Sequence, residues 1–146
     1  MSAAWLLAWS LLAAWRLTGA AASAQAPPER TVADGVYAAA QAARGREGYA
    51  VFCGSCHATD LSGTNSGDSG APPLKREGFM EGSDVSALFT KTQRTMPFDA
   101  PGALTAGEYA DIVAFILQEN GFPAGDQDLP SDAERLRGIR IVRRAD

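Results

Sequence analysis

The sequence predicts an all-α domain of three to four helices joined by long loops. Two segments carry strong helix formers or apolar side chains at helical spacing, one before Cys53 and one after Thr105. A third, shorter pattern runs from Asp84 to Arg94, and no stretch alternates apolar and polar residues as a half-buried strand does. Because so few helices make a small core for this length of chain, we expect a bound group to complete it.

The first 24 residues predict a secretory signal peptide. They are apolar from Ala3 to Ala14 except for one serine, and Arg16 is their single charged residue before a run of small side chains. We expect cleavage after Ala24, with residues 25–36 as an N-terminal linker and a periplasmic location. The alternative is an uncleaved anchor. An apolar helix of this length spans only about 18 Å of a hydrocarbon core of about 30 Å, so we expect no stable membrane insertion.

The two cysteines and the single histidine of the chain stand together as Cys53-Gly54-Ser55-Cys56-His57. C-x-x-C-H is the signature of covalent haem c attachment. Two residues between the thiols let one short segment reach both vinyl groups of the porphyrin, and the adjacent histidine is then held beneath the iron as an axial ligand. The motif predicts one covalent haem c per chain.

Three further interpretations of the motif compete with haem attachment. A thioredoxin-like redox pair needs a βαβ context, which the surrounding sequence does not offer. A structural zinc site needs four ligands, and the chain has neither a third cysteine nor a second histidine. A plain disulfide between Cys53 and Cys56 leaves His57 unexplained.

The first helix is predicted over residues 37–53, with Gly45 and Tyr49 on one face. A glycine inside a helix costs about 1 kcal/mol relative to alanine, so Gly45 indicates a close crossing with another helix. The alternative is a helix that merely tolerates the glycine. We expect the crossing helix to contact this face through Ile112 and Phe115.

The crossing helix is predicted from Ala106 to Asn120. Thr105 and Glu108 have the spacing of a capping box, and Gly121 is placed to end the helix in a left-handed conformation. Its apolar stripe consists of Tyr109, Ile112, Val113, Ile116 and Leu117, widened by Phe115.

The shorter helix from Asp84 to Arg94 is expected to have Ser83 as its N-cap. The segment between the first two helices is rich in turn residues up to Gly70 and then stiff and extended through Pro72 and Pro73. The side chains expected to enclose the porphyrin are Leu61, Leu74, Phe79, Leu88, Phe89 and Phe98.

The sixth iron ligand decides between electron transfer and small-molecule binding. Met96 is the favoured candidate, because Pro97 excludes it from helical geometry and Pro101 stiffens the loop that follows. Met80 lacks that bracing and fits a gap-filling core residue. An open or water-bound position remains as the third alternative.

Over residues 37–123 the chain resembles a class I c-type cytochrome. The features that carry the resemblance are, in order along the chain, Gly45, Tyr49, the Cys53–His57 motif, Met96-Pro97 and the helix with Ile112 and Phe115. The resemblance implies a cytochrome c-type fold, with the domain over residues 37–124 and a C-terminal extension over 125–146. It also implies thioether bonds from Cys53 and Cys56, iron ligation by His57 and Met96, and a carbonyl of Pro72 or Pro73 that accepts the ring N–H of His57.

A looser similarity, in Tyr37–Gln41, Thr95–Pro97 and Asn120–Gly125, joins the chain to small periplasmic cytochromes that accompany quinoprotein (PQQ-dependent) dehydrogenases. The expected function is therefore a monomeric one-electron carrier between such a dehydrogenase and a terminal oxidase, and not an enzyme. The alternatives are a haem subunit of a larger oxidoreductase, or a small-ligand sensor or enzyme in which Met96 is displaced.

The net charge of −4 makes a nucleic-acid partner unexpected. Basic residues concentrate at the C-terminal end. They form either a solvated face on a segment pinned by Leu136, Ile139 and Ile141, or a surface that steers the chain onto an acidic redox partner.

Overall fold

The structure is a computed structural model that describes residues 29–64 and 70–143. Its helices are α1 (Ala39–Phe52), α2 (Gly54–His57), α3 (Val85–Thr95), α4 (Ala106–Glu119) and α5 (Ala133–Leu136). A strand β1 (Arg30–Thr31) and a 3-10 turn (Val32–Asp34) precede them, and β2 (Ile139–Arg140) follows. The predicted all-α class is confirmed. The predicted signal peptide, residues 1–24, lies outside the described residues. Within the two described ranges, no helix is long and apolar enough to cross a membrane.

Helix α1 begins at Ala39, two residues later than predicted. The backbone at Tyr37 and Ala38 pairs instead with Gly125, whose N–H donates to the Tyr37 carbonyl at 2.7 Å. Ala38 is accordingly extended, with φ −83° and ψ 147°. A long-range contact therefore sets the start of the helix.

Helices α1 and α4 cross at Gly45, as predicted. A Cβ at this position would overlap the carbonyl group of Asp111 and lie 3.0 Å from the amide nitrogen of Ile112. One helical turn on, the rings of Tyr49 and Phe115 pack with centroids 5.3 Å apart. The absence of a side chain at Gly45 is thus what permits the two backbones to touch.

Helix α4 begins at Ala106 as predicted and ends at Glu119, one residue before the predicted end, with Asn120 as its C-cap. The N–H of Glu108 donates to the Thr105 hydroxyl at 3.2 Å, and the N–H of Thr105 donates to the Glu108 carboxylate at 2.7 Å. The N–H and the hydroxyl of Thr105 both donate to the Glu108 carboxylate, and they hold its pKa below the usual value because they favour the ionised form. Gly121 ends the helix with φ 81°.

The N-cap of α3 is Asp84, and the prediction of Ser83 was wrong. The Asp84 carboxylate accepts the N–H of Ala87 at 2.7 Å. Ser83 lies outside the helix because its carbonyl accepts the N–H of Ile141 from the C-terminal segment, at 2.8 Å.

The segment expected to be a linker packs on the core where the structure describes it. β1 pairs in parallel with β2, and Val32 and Val36 are buried. No strand was predicted, because two paired residues leave no alternating pattern in a sequence.

Three side chains of the C-terminal extension are buried in the core: Leu136, Ile139 and Ile141. This agrees with the interpretation in which these residues hold the basic segment on the domain. Three of the extension's described arginines, Arg137, Arg140 and Arg143, make contacts within the chain. Arg137 pairs with Glu134 at 2.8 Å, and the Arg143 guanidinium donates to the carbonyl of Asn120 at 2.8 Å. These contacts favour a structural role for the basic segment over a free steering surface.

Candidate haem site

The Cys53–His57 motif is held between α1 and the loop that follows it. Cys53 caps the C-terminal end of α1, where its N–H donates a hydrogen bond to the Tyr49 carbonyl. The carbonyl of Cys53 accepts the N–H groups of Cys56 at 3.1 Å and of His57 at 2.9 Å. The buried Tyr49 hydroxyl donates to the carbonyl of Ala58 at 2.9 Å. The helix crossing therefore fixes both ends of the motif.

The two thiols differ in environment. Cys53 is half-buried and Cys56 is exposed, and no disulfide joins them. Burial, and secondarily the neighbouring Cys56, raise the pKa of the Cys53 thiol to about 11. Before a haem is attached, Cys53 therefore stays protonated at neutral pH. In the described part of the chain, no three His, Cys, Asp or Glu side chains cluster as a zinc site requires.

His57 is buried and its orientation is fixed. Its Nδ1 lies 2.9 Å from the carbonyl oxygen of Pro72, while Pro73 makes no such contact. Because a carbonyl only accepts, Nδ1 carries the proton, and Nε2 is the ring nitrogen left for a metal.

The carbonyl of Pro72 is placed by paired loop segments on either side of residues 65–69. Leu74 donates its N–H to the Leu61 carbonyl at 2.9 Å, and Thr64 donates its N–H to the Ala71 carbonyl at 3.0 Å. Gly63 adopts φ 77°, and a Cβ there would lie 2.6 Å from the Ala71 oxygen. Only glycine allows this close approach at this backbone conformation.

Two cavities meet at His57. Their volumes are about 390 Å³ and 600 Å³, within the range of roughly 300–1,000 Å³ typical of cofactor sites. Both are lined by Cys53, His57, Pro72 and Met96. Cys56 lines the second cavity.

Both candidate methionines line the first cavity. Met96 directly follows α3 in an extended conformation, with φ −129° and ψ 150°, and its carbonyl accepts the hydroxyl of Tyr109 at 2.6 Å. Met80 has φ 50° and packs against the edge of the core. The sequence patterns gave no signal for the Tyr109 hydrogen bond, because helical spacing identifies a buried face and not a hydroxyl partner.

The expected porphyrin-enclosing side chains divide into three groups. Leu74, Phe79 and Leu88 line the first cavity, and Leu61 and Phe89 are buried in the core. Phe98 is 86% exposed and lines the second cavity. Two basic residues that sequence reasoning missed, Arg76 and Lys91, also line the first cavity.

These residues fit a covalently held haem. Two thiols, an oriented imidazole and a thioether line two adjacent, largely apolar cavities of suitable size. This is the donor set that haem c needs, with no additional metal-ligating group required.

The family model for cytochrome c oxidase, cbb3-type, subunit III matches residues 40–116, just over half of the chain. The sequence has no significant match among curated proteins. Among solved structures, the chain is similar to the sulfane dehydrogenase SoxCD from Paracoccus pantotrophus, with 22% identity and a TM-score of 0.49. That match covers 80% of this chain and 66% of the other, just under two thirds of its length.

The family match spans α1, the Cys53–His57 motif, α3 and most of α4, which are the elements that surround the two cavities. Cytochrome c domains of this kind are electron carriers and not enzymes. The chain belongs to this cytochrome c family and is a class I c-type cytochrome with covalently bound haem c, whose function is haem-based electron transfer.

Proposed function

We propose that this protein is a periplasmic one-electron carrier whose haem is bound through Cys53 and Cys56 and ligated by His57 and Met96. The observation that carries the proposal is that His57, with Nδ1 bonded to Pro72, lines the same cavities as Met96. When bound, haem c supplies a single electron-accepting and electron-donating centre by cycling between ferric and ferrous iron.

The role of His57 in this proposal is that of a permanent ligand. The Pro72 hydrogen bond prevents rotation of the imidazole and raises its basicity, so that Nε2 stays directed at the metal. Gly63 supports this arrangement, because it lets the loop that carries Pro72 pack closely. Both features suit a carrier in which the ligand set does not change between oxidation states.

The role of Met96 is that of a weak ligand on a fixed backbone. A thioether as sixth ligand raises the reduction potential relative to a second imidazole, and an apolar cavity acts in the same direction. Pro97 ends α3 here, and the bond from Tyr109 holds the Met96 carbonyl. A high potential suits a protein that accepts electrons from a dehydrogenase and passes them to a terminal oxidase.

We propose a PQQ-dependent dehydrogenase as the donor and a terminal oxidase as the acceptor. The exposed apolar side chains nearest the motif support brief contact with such partners. Val51, Phe52 and Phe98 are all exposed, and Phe52 and Phe98 border the cavity that Cys56 lines. Small apolar contacts of this kind are typical of transient electron-transfer complexes.

A second candidate is a haem-bearing subunit of a larger oxidoreductase. The family description favours it, since it names an oxidase subunit. The two candidates differ in how tightly a partner is held. Size-exclusion chromatography of protein extracted from its source tests this: a carrier elutes as a monomer, whereas a subunit co-elutes with other chains.

The ligand assignment is tested with Met96→Ala, and Met80→Ala is the matched control because both side chains line the same cavity. We expect Met96→Ala to keep its haem, lose the far-red charge-transfer band of the ferric protein, bind carbon monoxide readily and have a lower reduction potential. Met80→Ala should retain the band. Survival of the band in Met96→Ala, with loss in Met80→Ala, would transfer the ligand role to Met80.

A further inference from the structure

Helix α4 carries two buried polar side chains, one near each end, that bond outside the helix. The Tyr109 hydroxyl in its first turn donates to the carbonyl of Met96 at 2.6 Å. Asn120, which caps the other end, donates from Nδ2 to the carbonyl of Leu74 at 2.8 Å and accepts the N–H of Arg76 at 3.2 Å. Each end of α4 is therefore tied to a different wall of the first cavity.

The bonds of Asn120 fix the segment that follows Pro72. Leu74 lies two residues after Pro72, and Arg76 lies four residues after it. On the surface of the same segment, the Lys75 ammonium pairs with the carboxylate of Glu119 at 3.0 Å. The position of the Pro72 carbonyl, which accepts the ring N–H of His57, thus depends on the C-terminal end of α4. The position of the Met96 backbone depends in the same way on the N-terminal end of α4.

The helix between these ends cannot adjust its position easily. Tyr109 and Asn120 are eleven residues apart, which is about 16 Å along an α-helix. Two residues after Tyr109, the backbone of α4 at Asp111 touches Gly45 with no space left. A helix that packs tightly against α1 near its N-terminal end and is bonded to the cavity walls at both ends fixes the distance between those walls.

We infer that α4 acts as a rigid spacer between the two residues that would ligate a haem iron, with Tyr109 and Asn120 as positioning residues for Met96 and for the Pro72–His57 pair. The inference rests on the proposed function, since it takes His57 and Met96 to be those ligands. Tyr109 limits how far Met96 moves from the metal, and Asn120 keeps the Pro72 carbonyl on the imidazole.

The chain supplies a matched control for each residue. The buried Tyr37 hydroxyl donates to the carbonyl of Phe122 at 2.6 Å, the same bond type and length as that of Tyr109. The buried Gln41 amide donates to the carbonyl of Leu129 at 3.1 Å and accepts its N–H at 2.6 Å. The Asn120 amide likewise donates to the Leu74 carbonyl and accepts the N–H of Arg76. None of these control residues lines either cavity.

The test compares Tyr109→Phe with Tyr37→Phe, and Asn120→Ala with Gln41→Ala, in haem-loaded protein. The first readout is a titration of the ferric form with imidazole, which competes with the methionine. We expect Tyr109→Phe to bind imidazole about three to ten times more tightly than wild type, a factor equivalent to one buried hydrogen bond. Tyr37→Phe should bind it as wild type does while losing a similar amount of thermal stability.

The second readout is the reduction potential. Loss of the Asn120 bonds loosens the Pro72 carbonyl, which lowers the basicity of His57 and disfavours the ferric state. We therefore expect a higher potential in Asn120→Ala and an unchanged potential in Gln41→Ala. This arm tests the spacer even if Tyr109→Phe fails to accumulate.

The failures of the two proposals are distinguishable. If wild type has the far-red band, Met96→Ala loses it, and each site variant matches its control in imidazole affinity and potential, the spacer is refuted and the ligand assignment stands. If wild type has no band, or Met96→Ala keeps it, the ligand assignment fails and the role of Tyr109 fails with it.

Discussion

Replacing Gly45 by alanine tests the helix crossing on which the site is built. The added Cβ would overlap the carbonyl of Asp111, which belongs to the backbone of α4 and cannot rotate away as a side chain would. The two helices must separate by about an ångström or more before the contact is relieved, and the packing of Tyr49 on Phe115 loosens with them.

The expected size of the effect follows from two opposing contributions. Overpacking costs about 1–3 kcal/mol, and a clash with backbone belongs near the upper end of that range. Alanine gains about 1 kcal/mol over glycine in a helix interior. The net loss of about 2 kcal/mol corresponds to a melting temperature lower by about 8 °C, since 1 kcal/mol shifts the Tm of a domain of this size by about 4 °C.

Gly48→Ala is the matched control, three residues away in the same helix. A Cβ at Gly48 would lie 3.5 Å from Cγ1 of Ile112, which is ordinary van der Waals contact with a side chain. No overpacking cost then opposes the gain in helix propensity, so we expect the Tm to rise by about 2–4 °C. Thermal melts of both haem-loaded variants check the pair. An equal rise in Tm for Gly45→Ala would refute the close backbone contact.

Three further changes have defined outcomes. Cys53→Ala and Cys56→Ala should each sharply reduce the yield of haem-loaded protein, because the core depends on the covalent cofactor. Haem staining measures the attached haem, and circular dichroism measures folding. A normal yield of folded, haem-free protein from the double variant would contradict this expectation. Leu136→Ala should cost about 2–5 kcal/mol in denaturant unfolding, because a fully buried side chain fastens the C-terminal extension; a loss below about 1 kcal/mol would mean that the extension is not part of the folded core. The pKa of Glu108 is lower in the folded state than in the unfolded state, where it is about 4.5. The ionised carboxylate therefore contributes its full stabilisation above about pH 4.5, and this stabilisation is lost as the pH falls through the pKa of the folded state. The Tm advantage of wild type over Glu108→Gln should therefore shrink below about pH 4.5, and an advantage that is constant down to about pH 2 would contradict the capping role.

Local sequence patterns were sufficient for the elements whose formation depends on neighbouring residues. The capping box at Thr105 and Glu108, the left-handed Gly121 and the apolar stripe of α4 are all readable within a few positions of the chain. The same holds for the Cys53–His57 motif, because haem attachment chemistry requires that spacing. Even the α1–α4 crossing was predictable, since a glycine inside a helix lowers its stability unless close packing against a neighbour compensates.

Contacts between residues far apart in the sequence decided the rest. α1 starts at Ala39 because Tyr37 pairs with Gly125, and Asp84 caps α3 because Ser83 pairs with Ile141. Such backbone pairings use groups that every residue has, so no side-chain pattern announces them.

The sequence by itself identified the candidate haem-binding residues of this cytochrome, which are the two cysteines, the histidine and the candidate methionines. The tertiary structure alone decided what holds them, namely the carbonyl of Pro72 rather than that of Pro73 on His57 and the hydroxyl of Tyr109 on the Met96 backbone. The physical reason is that donor atoms are properties of residue types, whereas a distance of 2.6 or 2.9 Å between atoms 13 or 15 residues apart exists only once the intervening chain has packed.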